Sequence, residues 1–228
     1  MPAATIHRCV GKKILEITNM YTDEYDKKLF EIGCVAPDSW KNTSQYKNSP
    51  LPKKIKRRAS HFSPEGKYIE YYLNFYDKYK PTIDDPFMMG YLIHLMTDFY
   101  WRYIMFYNYF NRDGSIRLLD GSSVNGEKGV RKTLLKNETA KIATLISKEY
   151  KLKWLDQLSD NEIERLTKID ELEYDGLNET LIYDNKEAND TIDYELKVYR
   201  VKDFKNGITK CSNIIIGELG NIGIAELL

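Results

Sequence analysis

The chain has 228 residues, and its 34 Lys and Arg balance 34 Asp and Glu, so the formal charge is zero. That length is enough for a substantial core, and the zero balance gives no general pull towards nucleic acid or an anionic membrane. Three cysteines, Cys9, Cys34 and Cys211, are too few and the wrong parity for a disulfide framework. They read as small buried hydrophobes in a cytoplasmic protein.

The opening segment MPAATIHRCVGKK lacks a basic stretch followed by an apolar one, so no signal peptide is expected. Ala3, His7, Val10, Ile14 and Ile17 recur at helical spacing, predicting an amphipathic helix through about Thr18. Thr22 reads as the N-cap of a second helix over Asp23 to Ile32, with Gly33 as its stop. A loop-like region follows, carrying Pro50, Pro52 and the basic run Lys53 to Arg58. Ser63-Pro64-Glu65 and Asp84-Asp85-Pro86 both look like helix starts, with proline at the first helical position.

The second of these opens the long aromatic segment Phe87 to Phe110, which has the length to cross a bilayer. It contains His94, Asp98 and Arg102, and Asp or Arg at a helix centre costs about 2.5–3.5 kcal/mol each on insertion. A buried helix of a soluble protein is the cheaper account. Beyond it, Asn111 to Gly114 is turn chemistry, Gly129 to Lys148 reads helical, and Ser159 caps a short helix from about Asp160. Asp170 to Asp190 is acidic and poorly periodic, and is expected to be an exposed, mobile surface. A last helix is expected from about Thr191 towards Ile216, with a break near Gly207. No short alternating run reads as a strand. The expectation is a single all-α domain over residues 1–228, with the candidate motifs in 1–110 and a helical remainder in 111–228.

The three histidines, His7, His61 and His94, each stand at a special position. His7 lies on the inward stripe of the first helix. His61 enters a helix after the basic run. His94 shares an apolar face with Phe87, Tyr91, Trp101 and Met105, and Asp98, one turn on, stacks beside it. A lone histidine on an apolar face is most simply a satisfied core residue, but a buried carboxylate needs a cation or several donors. Protonated His94 would be one such cation and a divalent metal another, the latter leaving the imidazole neutral. Imidazole with carboxylate suits zinc, and also iron, manganese or nickel.

Ala36-Pro37-Asp38-Ser39-Trp40, then Ser60-His61-Phe62, then His94-Leu95-Met96-Thr97-Asp98, after an early His7, resembles the zinc-dependent phospholipase C and S1/P1 nuclease superfamily. The resemblance covers about residues 5 to 102. It implies an all-α bundle around a buried metal site that hydrolyses phosphodiester bonds. It also implies that His7 holds one metal of a close pair, that Asp38, His61 and His94 hold the other, and that Asp98 bridges them. Asp38 is implied as the general base beside the nucleophilic water. The superfamily's third zinc uses histidines later in the chain. None follows His94 here, so one or two ions, zinc or another divalent transition metal, are expected.

The function expected is therefore metal-dependent hydrolysis of a small phosphoester or lipid head group, with Lys53 to Arg58 offering peripheral contact to an anionic surface. The plain reading of that basic run is a solvated loop. The tyrosines between Tyr68 and Tyr109 would line a semi-polar pocket or pack the core and its rim. An HD-type phosphohydrolase needs an adjacent His-Asp pair, which the chain lacks. The remaining alternative is a non-enzymatic helical binding protein with a structural metal or a buried His/Asp network.

Overall fold

The computed structural model describes residues 3–43, 57, 59–63, 71–125, 128–189 and 193–224, and the chain is mostly helical over them. Helix α1 (Ala4–Thr18) buries His7, Val10 and Ile14 of the expected stripe, together with Ile6, but leaves Ile17 exposed near its end, and it stops at Asn19 in the left-handed conformation. Helix α2 (Glu24–Gly33) starts one residue later than expected. Asp23, not Thr22, is its cap, because its carboxylate accepts from the Tyr25 and Asp26 amides at 2.8 and 3.2 Å. A 3-10 turn (Ala36–Lys41) follows, then helix α3 (Tyr71–Tyr79). The helix start expected at Ser63-Pro64-Glu65 falls largely outside the described residues.

Helix α4 (Pro86–Tyr109) is the central element. Asp85 caps it through the Phe87 and Met88 amides, as the Asp-Pro signature predicts. Residues Phe87 to Asp98 are buried without a break, so this helix lies in the core and has no solvent face over that length. No described helix is long and apolar enough to cross a membrane. Helix α2 makes the most extensive helix–helix contact with α4, and glycine permits it. A Cβ on Gly33 would lie 2.2 Å from the Phe87 carbonyl oxygen, and one on Gly90 would lie 2.1 Å from that of Phe30. Gly33 therefore serves the crossing of two helices, not a left-handed stop.

After α4 a short antiparallel hairpin, β1 (Ile116–Arg117) with β2 (Ser123–Val124), follows the expected turn. Two residues per strand are too few to show alternation, so the sequence pattern does not reveal them. Helices α5 (Lys128–Glu149), α6 (Asp160–Arg165), α7 (Leu177–Asn189) and α8 (Val201–Asn221) complete the fold. Ser159 and Glu162 form a capping box on α6, as the spacing predicts.

Two expectations for this half are corrected. The acidic stretch is not simply an exposed surface, because α7 buries Leu177, Leu181 and Asp184. Asp184 Oδ2 accepts from Arg8 Nη1 at 2.9 Å, and Arg8 also meets Glu31 and the Lys153 carbonyl. Both Arg8 and Asp184 are fully buried, so the pair ties the N-terminal helix to α7. Helix α8 begins at Val201, about ten residues later than expected, and runs through Gly207 without a break. Gly207 sits against Trp101 and Met105 of α4, where a side chain would collide. Tyr72, Tyr76, Tyr79, Tyr91 and Tyr109 are core residues, with Phe75 stacked on Tyr91 at 4.8 Å between ring centroids. These five pack the core, the second of the two roles expected for the tyrosines. Cys9, Cys34 and Cys211 are free and buried, as expected.

Candidate metal centre

All three histidines of the chain converge with Asp38 and Asp98 at one buried place. Helix α1 brings His7, the 3-10 turn brings Asp38, and α4 brings His94 and Asp98. His61 comes from a turn whose amide donates to the Arg57 carbonyl at 3.1 Å. The next residue, Phe62, has a φ of 52°, a region that costs a bulky residue on the order of 1 kcal/mol or more. Its ring packs edge-on to Phe75 and Tyr91, at 5.2 and 6.3 Å, which holds the turn with His61 facing the site.

The His7 and His94 rings stack at 3.8 Å, 5° from parallel. Asp98 lies between two histidines, with Oδ1 3.6 Å from His7 Nε2 and Oδ2 3.6 Å from His61 Nε2. Asp38 Oδ1 is 3.7 Å from His61 Nε2. These separations are too long for hydrogen bonds and short enough for a shared ligand. Two sets of three result, Asp38/His61/His94 and His7/His94/Asp98, each with its ligand atoms within 4.8 Å of one another.

The tautomers follow from the neighbours. His94 Nδ1 lies 2.7 Å from the Cys34 carbonyl, which only accepts, so Nδ1 carries the proton and Nε2 keeps its lone pair. Ser60 Oγ donates to the Arg57 carbonyl at 3.3 Å, so it accepts from His61 Nδ1 at 3.0 Å. His61 Nε2 is then also a bare lone pair. Burial first, then His94, holds His7 well below the ordinary histidine range; burial first, then Arg57, does the same to His61. Burial also lowers His94, against the pull of the carboxylates. These shifts favour the neutral imidazole at neutral pH, the form that metal ligation requires.

Each carboxylate has one oxygen neutralised and one left over. Lys41 Nζ is 2.8 Å from Asp38 Oδ2, and Arg57 Nη2 donates to Asp98 Oδ2. Burial works against ionisation of Asp38, but the Lys41 cation outweighs it and holds the carboxyl far below the usual range. For Asp98 burial wins over His94 and Arg57, and the carboxyl is pushed up. The other oxygens, Asp38 Oδ1 and Asp98 Oδ1, are buried without a hydrogen-bond partner, and so are His61 Nε2 and His94 Nε2. Each such orphan costs about 1–3 kcal/mol, and here four of them belong to the residues of the two ligand sets. Lone pairs aimed together suit one solution above others, a cation among them. In donor type and in orphaned atoms, these residues fit a divalent transition metal.

The five site residues expected from sequence are thus brought together, and none is left outside. Missed were the groups that set them: Lys41, Arg57, Ser60 and the Cys34 carbonyl. Lys41 stands three residues after Asp38 and Arg57 four before His61, a helical spacing that could have flagged both. Of the basic run only Arg57 is described, and it turns inward to Asp98. Lys53, Lys54, Lys56 and Arg58 lie outside the described residues. No protein-family model, curated protein or solved structure matches this chain.

Proposed function

We propose that this chain is a metal-dependent phosphoester hydrolase, most simply a zinc phosphodiesterase of the kind found in the phospholipase C and S1/P1 nuclease superfamily. The observation that carries the reading is that Asp38, His61 and His94 form one buried ligand set whose Asp38 Oδ1, His61 Nε2 and His94 Nε2 have no hydrogen-bond partner. The order His7, Asp38, His61, His94-x-x-x-Asp98 supports the superfamily.

Asp38, His61 and His94 would hold the ion, with His7 and Asp98 beside it. A bound divalent ion supplies Lewis acidity to a phosphoryl oxygen and makes a nearby water more acidic. The chain's own residues do the rest. Cys34 and Ser60 keep His94 and His61 in the tautomer whose Nε2 faces inward. Lys41 keeps Asp38 ionised against burial, which is the protonation state a general base needs. The same pairing makes it a weak base, so proton acceptance depends on the acidity of the water. Arg57 and Lys41 add two positive charges that favour a phosphate anion.

A zinc-loaded preparation should hydrolyse a chromogenic phosphodiester. Asp38→Asn should lower kcat by about 100-fold or more, the scale of a lost general base. Undiminished hydrolysis in that variant would remove Asp38 from the proposed role. Lys41→Met should shift the acid limb of the rate profile to higher pH, because loss of the cation lets the Asp38 carboxyl rise. An unchanged limb would mean that Asp38 is not the group being titrated.

A second reading has its own support. Lys41 and Arg57 already neutralise one oxygen on each carboxylate. A non-enzymatic helical protein with a buried polar network is built in that way. Elemental analysis separates the two. About one or two equivalents of metal, lost in His94→Ala and Asp98→Ala, support the hydrolase. No metal after reconstitution with zinc supports the network.

A further inference from the structure

We infer that the site takes a single divalent ion, in the Asp38/His61/His94 set, and that Arg57 stands in for a second by occupying the Asp98 oxygen that would bridge a pair. The inference rests on the metal reading above and goes beyond it in fixing stoichiometry and naming the residue that limits it.

The two candidate ligand sets share His94. A neutral imidazole has one lone pair, and the Cys34 carbonyl holds the Nδ1 proton of His94, so only Nε2 is available. One nitrogen serves one ion, and the two sets compete for it. Asp98 Oδ2 is the oxygen that faces His61, 3.6 Å from Nε2. Arg57 Nη2 donates to that same oxygen. Asp98 is thereby prevented from reaching both sets at once. What remains for a second ion is His7 with Asp98 Oδ1, two ligands where a firmly held ion takes three or more. The Asp38/His61/His94 set, by contrast, has three buried and unpartnered ligand atoms. The guanidinium adds a fixed positive charge beside Asp98, which repels a second dication.

Arg57 is a positioning residue here, and its charge is what counts. Its side chain is 29% exposed, so a small replacement leaves little void. The test titrates the metal-free 228-residue chain with zinc chloride alone, followed by calorimetry and by elemental analysis after desalting. The wild type should bind about one equivalent, Arg57→Ala about two, and Arg57→Lys about one, because lysine keeps the charge on Asp98. Far-ultraviolet dichroism and a thermal melt of each variant establish that it is folded.

Two equivalents in the wild type would overturn the inference and leave the hydrolase reading intact. One equivalent in both wild type and Arg57→Ala would show that Arg57 is not the limit, and would overturn its role. No zinc in any form would remove the metal reading and this inference with it.

Discussion

Below about pH 6.5 the metal-free protein should lose stability steeply, by up to about 4 kcal/mol per pH unit if all three histidines stay neutral in the fold. His7, His61 and His94 are the only histidines in the chain, so histidine titration reports on this site alone. The sign follows from the direction of their shifts. Each is depressed in the fold, with burial the largest cause. The unfolded chain takes up protons near pH 6.5 while the fold refuses them, so the stability of neutral histidine is full above that pH and is lost as pH falls towards the folded values. Asp38, held low chiefly by Lys41 against burial, adds a loss in the same sense at more acidic pH. Asp98 and Asp184, pushed up by burial, work in the opposite sense as they protonate. The histidine slope is therefore read just below pH 6.5, by urea unfolding in EDTA. Flat stability across that window, or imidazole resonances titrating near 6.5, would mean that the three rings are not held neutral. Zinc should raise the melting temperature at neutral pH and progressively less on acidification, because the metal competes with protons for the same lone pairs.

Gly90→Ala should cost about 3 kcal/mol or more and disturb the site together with the fold. Its Cβ would lie 2.1 Å from the Phe30 carbonyl oxygen and 3.0 Å from the Cys34 amide nitrogen. Both are backbone atoms of the segment crossing α4, and no rotamer change relieves the clash. The same segment carries the Cys34 carbonyl that orients His94. Forcing α2 away from α4 should therefore weaken zinc binding as well as lower the melting temperature. Gly217→Ala is the control. Gly217 is an exposed position on the outer face of α8 with nothing near its Cβ position, and alanine there should stabilise by up to about 1 kcal/mol. Equal effects from the two substitutions would rule out the close crossing as the cause.

Helices were legible where their signal is local, to within one residue at the Thr22-Asp23 cap. The stripe of His7, Val10 and Ile14, the Asp85-Pro86 start and the Ser159 cap depend on neighbours within a turn or two. The segment 170–190 was misread for the opposite reason. Its composition is acidic, yet Asp184 is buried because Arg8, 176 residues away, reaches it. No window of sequence contains both ends of that pair. Gly207 misled likewise, since its reason is the Trp101 ring on another helix.

By itself, then, the sequence determined the helical class, because helical period belongs to near neighbours, while the five candidate ligands were named through the order of motifs that resembles a known superfamily. Only the tertiary structure decided which of their atoms are free. His94 Nε2 is a bare lone pair because the Cys34 carbonyl, sixty residues away, holds the other nitrogen's proton. Asp98 has one open oxygen because Arg57 claims its other. A side chain's identity is local, but whether its polar atoms are satisfied depends on what the fold brings against them, and that decides what a site can bind.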